Sequence, residues 1–140
     1  MRTLVLDSGA FIAAEAFDRR IGAIVQAAAD TGADVIVPAT VIAETWRTPA
    51  RANSAALLKS ASSVWPLDDR GARAVGDLLT RDRSVQIVDA NVVTIAIATK
   101  PSLVVTSDPT DIQRLVKAAG ETCSLGTFSG TPPSVLITVV

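Results

Sequence analysis

The stretch LVVTSDPTDIQRL, residues 103–115, joins an apolar run to a polar segment that is typical of a helix start. The run LVV predicts a buried strand. Asp108 followed by Pro109 predicts the beginning of a helix, because proline is favoured at the first helical position. Asp111 then falls at the third position of that helix. The stretch therefore predicts a strand that ends where a helix begins, with two carboxylates at the junction.

Short apolar runs of this kind recur along the chain and alternate with stretches of helical composition. Continuous apolar runs are typical of parallel strands that are buried on both faces. The alternation predicts an α/β fold around a central, mostly parallel sheet, in a single domain spanning residues 1–140. Pro66 places the third strand at an edge, because proline cannot donate to the ladder. The predicted strands are TLVLD (3–7), DVIVP (34–38), SVWPLD (63–68), SLVVTSD (102–108) and SVLITVV (134–140).

Seven helices are predicted between the strands, and the glycines Gly32 and Gly120 are expected to end two of them. A segment rich in Ser, Gly, Thr and Pro, SLGTFSGTPPS (124–134), is expected to be irregular. The predicted helices are SGAFIAAEAF (8–17), RRIGAIVQAAADTGA (19–33), ATVIAETWR (39–47), RANSAALLKSAS (51–62), DDRGARAVGDLLTRD (68–82), DANVVTIAIAT (89–99) and PTDIQRLVKAAG (109–120).

The composition restricts the chemistry that the protein can perform. Histidine and tyrosine are absent and Cys123 is the only cysteine. These absences exclude a Ser-His-Asp triad, imidazole zinc sites and internal disulfides. Acid-base or metal chemistry therefore falls to the 14 Asp and Glu residues, whose hard oxygens suit Mg²⁺ or Mn²⁺.

The distribution of apolar residues and the net charge indicate the cellular location and the way in which nucleic acid could bind. Charged residues, proline or glycine interrupt every apolar run well before the roughly 20 residues of a membrane span. The beginning, MRTLVLD, lacks the apolar stretch of about 7 to 15 residues of a signal peptide. We therefore expect a soluble, cytoplasmic protein with no membrane partner. The net charge of −1 provides no global attraction for nucleic acid, so RNA binding would depend on local arginines.

Four acids follow apolar residues and are expected to be partly buried: Asp7, Glu44, Asp89 and Asp108. A buried carboxylate is costly unless it is paired, hydrogen-bonded or bound to metal. Asp7 and Asp108 follow strands, and ligand sites in parallel α/β sheets form at the carboxyl ends of strands. If Glu44 and Asp89 point to the same crevice, four negative charges converge, and one or two divalent cations would be needed to balance them.

Capping is the competing interpretation for several of these acids. Asp7, Asp89 and Asp108 could each cap a following helix, and Asp111 could complete a capping box with Asp108 or interact with the helix dipole. Glu44 lies within a predicted helix and has no such role. Local sequence leaves both interpretations open.

Four segments, in this order and at these separations, resemble the PIN domain and specifically the VapC-type ribonuclease toxins of toxin-antitoxin pairs. They are LVLDSGAFIA, VPATVIAETWR, VDANVVTIAIA and VVTSDPTDIQRL. The segment SAALLKSASSVWPLDDRGARAVGDLL is also similar to the family's middle region. Each motif is weak alone, whereas the ordered set is specific and covers the chain from residue 3 to about residue 120.

The resemblance implies a three-layer α/β/α fold and an endoribonuclease that depends on Mg²⁺ or Mn²⁺. It also implies a homodimer and a cognate VapB-like antitoxin that blocks the active site. Asp7, Asp89 and Asp108 would hold the metal, and Glu44 would share it or complete a second site. Asp111 would be a less regular fifth member. Ser8 and Thr106 match positions whose hydroxyl groups orient the carboxylates.

One asparagine and two arginines near the predicted site each have more than one possible role. Asn91, two residues after Asp89, is expected to assist the site, to cap or to face solvent. Arg47 and Arg51 lie close to Glu44 in the sequence and are expected to guide RNA, although arginines spaced in this way also decorate exposed helix faces.

Three other functions compete with the toxin. A PIN-fold binding module would keep the acids only as caps, and a PIN nuclease of RNA processing would act outside any toxin-antitoxin system. Phosphatases of the haloacid dehalogenase type also begin with an Asp after a strand, but they need a second Asp where this chain has Gly9.

Overall fold

The computed structural model describes residues 1–126 and 132–140, which form six strands and seven helices. All five predicted strands and all seven predicted helices are present, with differences at their ends. The strands are β1 Thr3–Leu6, β2 Asp34–Pro38, β3 Ser63–Trp65, β4 Ser102–Thr106, β5 Cys123–Leu125 and β6 Val135–Val139. The helices are α1 Ser8–Glu15, α2 Arg19–Asp30, α3 Ala39–Thr45, α4 Ala52–Lys59, α5 Asp69–Arg81, α6 Ile87–Ala98 and α7 Pro109–Ala118.

The strands form one sheet in the order β3-β2-β1-β4-β6-β5, and all five pairings between described strands are parallel. β1 and β4 are neighbours at its centre, and Leu6 lies opposite Val105. The next residue, Asp7, donates its backbone N–H to the Val105 carbonyl at 3.0 Å. The prediction of an α/β fold with a central parallel sheet is confirmed. The carboxyl ends of β1 and β4 therefore lie side by side at the same end of the central strands.

Both faces of the sheet are covered. Leu4, Val5 and Leu6 of β1 are all fully buried, although consecutive strand residues point to opposite faces. Helices must therefore pack on both sides, and this gives the three layers that the resemblance implies. Within the described ranges, none of these helices is long and apolar enough to cross a membrane.

The main differences from the predicted elements are at β5, α6 and β3. β5 is an additional strand, in which Cys123–Leu125 pairs with β6. Ser124 and Leu125 were expected to be irregular. The rest of that predicted irregular segment lies partly in residues 127–131, outside the described residues. Helix α6 begins at Ile87 rather than at Asp89. β3 ends at Trp65, and its predicted position at the sheet edge is confirmed.

Glycine has a defined role at three positions. Gly32 and Gly120 adopt φ values of 75° and 79° just after α2 and α7, so both predicted stops are confirmed. Gly9, near the start of α1, is packed against the residue that follows β4. A Cβ added to Gly9 would lie 2.5 Å from the backbone nitrogen of Ser107. The absence of a side chain at Gly9 therefore lets the start of α1 approach the turn after β4.

Candidate active site

Asp7 is held by hydrogen bonds from two directions. It follows β1 directly, caps α1 as predicted, and is only 4 % exposed. Its Oδ1 accepts from the Ser8 N–H at 2.7 Å, and its Oδ2 accepts from the Thr106 hydroxyl at 2.7 Å. Burial raises the pKa of Asp7, although both hydrogen bonds lower it, and the charges of Glu44 and Asp108 raise it further. Asp7 is thus a buried carboxylate in a negative environment.

Asp108 lies beside Asp7 but is exposed. As predicted, it is the N-cap of α7, and Pro109 follows it at the first helical position. Its own N–H donates to Thr106 Oγ1 at 3.0 Å, so the Thr106 hydroxyl connects the two acids. The prediction that Asp108 is partly buried is wrong, because the chain leaves the sheet at Ser107 and carries the carboxylate into solvent.

Asp89 lies in the first turn of α6 and is half-buried. Its pKa is raised to about 7, first by burial and then by the charges of the other acids, Asp7, Asp111, Glu44 and Asp108. Capping is the wrong interpretation of Asp89, because α6 begins at Ile87 and its N-cap is Gln86. An acid in the first turn does interact favourably with the helix dipole. Burial and the charges of the other acids nevertheless raise its pKa.

Glu44 is the next-to-last residue of α3 and is exposed, so its predicted partial burial is wrong. Its position is linked to that of Asp89 through the buried Asn91. The Asn91 Nδ2 donates to Thr40 Oγ1 at 2.7 Å and joins α6 to α3. Asn91 therefore neither faces solvent nor caps a helix, and its contact fixes the two helices that carry Glu44 and Asp89.

Asp111 is half-buried at the third position of α7. The reciprocal capping-box bond is not formed, because the N–H of Asp108 donates to Thr106 instead. Burial and the adjacent Asp108 raise the pKa of Asp111. Arg114 Nη1 lies 3.8 Å from Asp111 Oδ1, and its Nη2 lies 2.9 Å from Asp82 Oδ2. The same guanidinium thus connects Asp111 to the loop that precedes α6.

The two predicted supporting hydroxyls differ in what they contact. Thr106 is fully buried and donates to a site carboxylate, as expected of a residue that orients a ligand. Ser8 donates to Asp7 through its backbone N–H rather than its hydroxyl. Within the described residues, the buried Ser8 Oγ has no hydrogen-bond partner. Ser8 therefore leaves one buried polar atom next to the acidic site without a protein partner.

The five acids form one electrostatic unit. Each of the other four raises the pKa of Asp89, which places all of them within interaction range of it. Carboxylate oxygens are the donors that Mg²⁺ and Mn²⁺ prefer, and a cation would remove the repulsion. Among the described residues, however, no three acidic side chains are arranged closely enough to bind one ion as they stand. The donor chemistry fits a divalent cation, and binding one would require side chains such as the exposed Glu44 and Asp108 to change rotamer.

Glu15 has a role that the sequence does not predict. Helix α4 has no capping side chain of its own, because its N-cap is Arg51. The Glu15 Oε1 supplies the missing acceptor and lies 2.7 Å from the Ser54 nitrogen. The missing cap before α4 was the only local signal, and it did not identify which distant residue would replace it.

A small cavity lies next to Glu44. It has a volume of about 180 Å³ and is lined by residues from α1, from α3 and from the segment that leads into α4, including Ile12, Glu15, Arg47 and Arg51. The cavity brings the two arginines and Glu44 to one place, as their spacing in the sequence suggests.

No family model and no curated protein sequence matches this chain.

Proposed function

We propose that the protein is a metal-dependent endoribonuclease of the PIN-domain type, acting as the toxin of a type II toxin-antitoxin system. The observation that carries the proposal is the pKa of Asp89, which is raised to about 7 by burial and by four neighbouring carboxylates. An uncompensated cluster of acids is costly to the fold, and a site that binds divalent cations explains why it is kept.

The proposal assigns roles to the site residues. Asp7, Asp89 and Asp108 would hold a Mg²⁺ or Mn²⁺ ion, with Glu44 sharing it or completing a second site and Asp111 as a fifth candidate. When bound, such an ion supplies Lewis-acid activation of water and of the scissile phosphate. Thr106 keeps the Asp7 carboxylate oriented. The hydrogen bond from Asn91 to Thr40 fixes the position of α6 relative to α3. RNA is the substrate, and a homodimer and a VapB-like antitoxin are the expected partners.

A binding experiment tests the metal site. Isothermal titration with Mn²⁺ should give binding in the wild type and a loss of at least about tenfold in Asp7→Asn, because a charged, nearly buried ligand is removed. Asp77→Asn is the matched control, since it removes the same charge from the exposed surface of α5. Equal Mn²⁺ binding by Asp7→Asn and Asp77→Asn would contradict the assignment.

An activity experiment tests the biological role. Expression of the wild type is expected to arrest bacterial growth, and Asp7→Asn is expected to relieve the arrest. The purified wild type should cleave RNA with Mn²⁺ and not with EDTA. Cleavage without growth arrest would support a PIN nuclease of RNA processing instead.

One observation favours a second candidate, a PIN-fold binding module without catalysis. No three of the described acids are arranged to bind an ion as they stand, and Asp7 and Asp108 both cap helices. Such a module would bind Mn²⁺ no better in the wild type than in Asp7→Asn. Isothermal titration with Mn²⁺ therefore distinguishes the two candidates.

A further inference from the structure

The cavity beside Glu44 holds two basic side chains without acidic partners. Arg47 and Arg51 both line it and both are exposed. Neither forms an ion pair with any residue in the described ranges, in contrast to Arg20, Arg73 and Arg114. Arg47 donates through Nη1 to the adjacent Trp46 carbonyl at 2.6 Å, which leaves its other N–H groups available.

Neither carboxylate that lines the cavity forms an ion pair with these arginines. Glu15 is directed at the start of α4, where its Oε1 accepts from the Ser54 N–H. Glu44 contributes its charge to the acidic site, where it raises the pKa of both Asp7 and Asp89. The cavity therefore brings two guanidinium groups next to Glu44, a member of the acidic site.

An exposed aromatic residue, Trp46, is the sequence neighbour of Arg47. Trp46 follows α3 between Glu44 and Arg47 in the chain, and 39 % of it is exposed. Indole rings provide stacking surfaces for unpaired bases, whereas the paired bases of a duplex are already stacked. Guanidinium groups match the geometry of phosphate oxygens through paired N–H donors. The segment 44–47 thus contains an exposed carboxylate, an exposed indole and an exposed guanidinium group.

We propose that this cavity is a phosphate subsite for single-stranded RNA, in which Arg47 and Arg51 bind a phosphate next to the one that is cut, while Trp46, the sequence neighbour of Arg47, stacks on an unpaired base. The inference rests on the proposed function. A chain with a net charge of −1 needs such local positive charge to bring a polyanion to an acidic site. A strand anchored in the cavity lies beside Glu44 and can continue to Asp89 and Asp7.

The test is fluorescence anisotropy with a labelled single-stranded oligouridylate in EDTA, which prevents metal-dependent cleavage. Arg47→Gln/Arg51→Gln is expected to weaken binding by about tenfold, because charge-assisted hydrogen bonds to phosphate are removed. The dependence of log K on log salt should become shallower by about 0.7 for each phosphate that the variant no longer neutralises. Arg70→Gln/Arg73→Gln is the matched control, since it removes two exposed arginines from α5 and should bind within about twofold of the wild type.

Equal affinity and equal salt dependence in the two double variants would overturn the subsite. A duplex RNA that binds the wild type as tightly as the single strand would overturn the stacking role of Trp46. Circular dichroism and Mn²⁺ titration of Arg47→Gln/Arg51→Gln should match the wild type, which shows that the fold and acidic site are intact. Failure of the wild type to cleave RNA with Mn²⁺ counts against the proposed function, whereas unchanged RNA binding by the cavity variant counts against the subsite alone.

Discussion

The hydroxyl of Thr106 donates a 2.7 Å hydrogen bond to the Oδ2 of Asp7, across 99 positions of sequence. The bond forms because β1 and β4 are parallel neighbours that end at the same level of the sheet. The same hydroxyl accepts from the Asp108 N–H. One buried hydroxyl therefore fixes the relation between two of the acids that we assign to the metal site.

Thr106→Val tests this hydroxyl with little change of side-chain volume. We expect the free energy of unfolding to fall by about 1–3 kcal/mol, because Asp7 Oδ2 and the Asp108 N–H lose their partner. Urea unfolding measures the change. Thr106→Ser keeps the hydroxyl and should recover Mn²⁺ affinity that Thr106→Val loses. If both variants bind Mn²⁺ as the wild type does, Thr106 does not orient the site.

The raised pKa of Asp89 predicts that the free energy of unfolding falls as the pH rises. Its folded pKa of about 7 lies above the value of 3.8 expected for an unfolded Asp, so the folded protein binds more protons between these values. Protonation therefore stabilises the fold at low pH, and this contribution is lost as the pH rises towards 7. The chain lacks histidine, and the raised pKa values of Asp7 and Asp111 act in the same direction as that of Asp89.

Thermal unfolding in EDTA at pH 5 and pH 8 measures this effect. The wild type should have the higher midpoint at pH 5, and Asp89→Asn should reduce the difference between the two values. Asp77→Asn should leave the difference unchanged, since Asp77 is exposed on α5. A wild type that is more stable at pH 8 would contradict the raised pKa of Asp89.

The close packing of Gly9 against Ser107 predicts that a larger side chain at position 9 disturbs the site. In Gly9→Ala the new Cβ meets the backbone and side chain of Ser107 at 2.5 Å, so one of the two segments must move. We expect a loss of about 1–3 kcal/mol of stability and weaker Mn²⁺ binding. Gly22→Ala is the control, because its Cβ would meet nothing within 4 Å. It should stabilise α2 by about 0.5–1 kcal/mol.

The ends of the cleaved RNA test the chemistry of the proposed nuclease. We expect water to attack the phosphorus atom, the bond from phosphorus to the 3′-oxygen to break, and the 3′-oxygen to take up a proton. The products then carry 5′-phosphate and 3′-hydroxyl ends, which end-specific labelling and mass spectrometry identify. Cyclic 2′,3′-phosphate ends would show attack by the ribose hydroxyl and would contradict this mechanism.

The fold was largely predictable because its strands are continuous apolar runs. β5 was missed, since Cys123–Leu125 has little hydrophobic pattern and becomes a strand only beside β6. The start of α6 was misplaced by two residues, because Gln86 gives no capping signal. For β5, pairing with another strand rather than local sequence determines the element.

The five predicted acids interact electrostatically in the structure, but the burial of two of them differs from the prediction. Asp7 and Asp89 have the expected burial, whereas Glu44 and Asp108 are exposed, because apolar neighbours in sequence do not determine the depth of a helix end or a loop. The role of Glu15 depends on a contact with Ser54, 39 residues away. Metal binding and RNA cleavage stay predictions.

The two edges of the sheet are its shortest strands, since β3 and β5 have three residues each. A short edge offers few unpaired backbone groups to another chain, which disfavours the joining of two sheets edge to edge. Pro66 follows β3 and removes one further donor at that end. The expected homodimer would therefore form through helix surfaces. Each subunit would keep its own six-stranded sheet and its own acidic site.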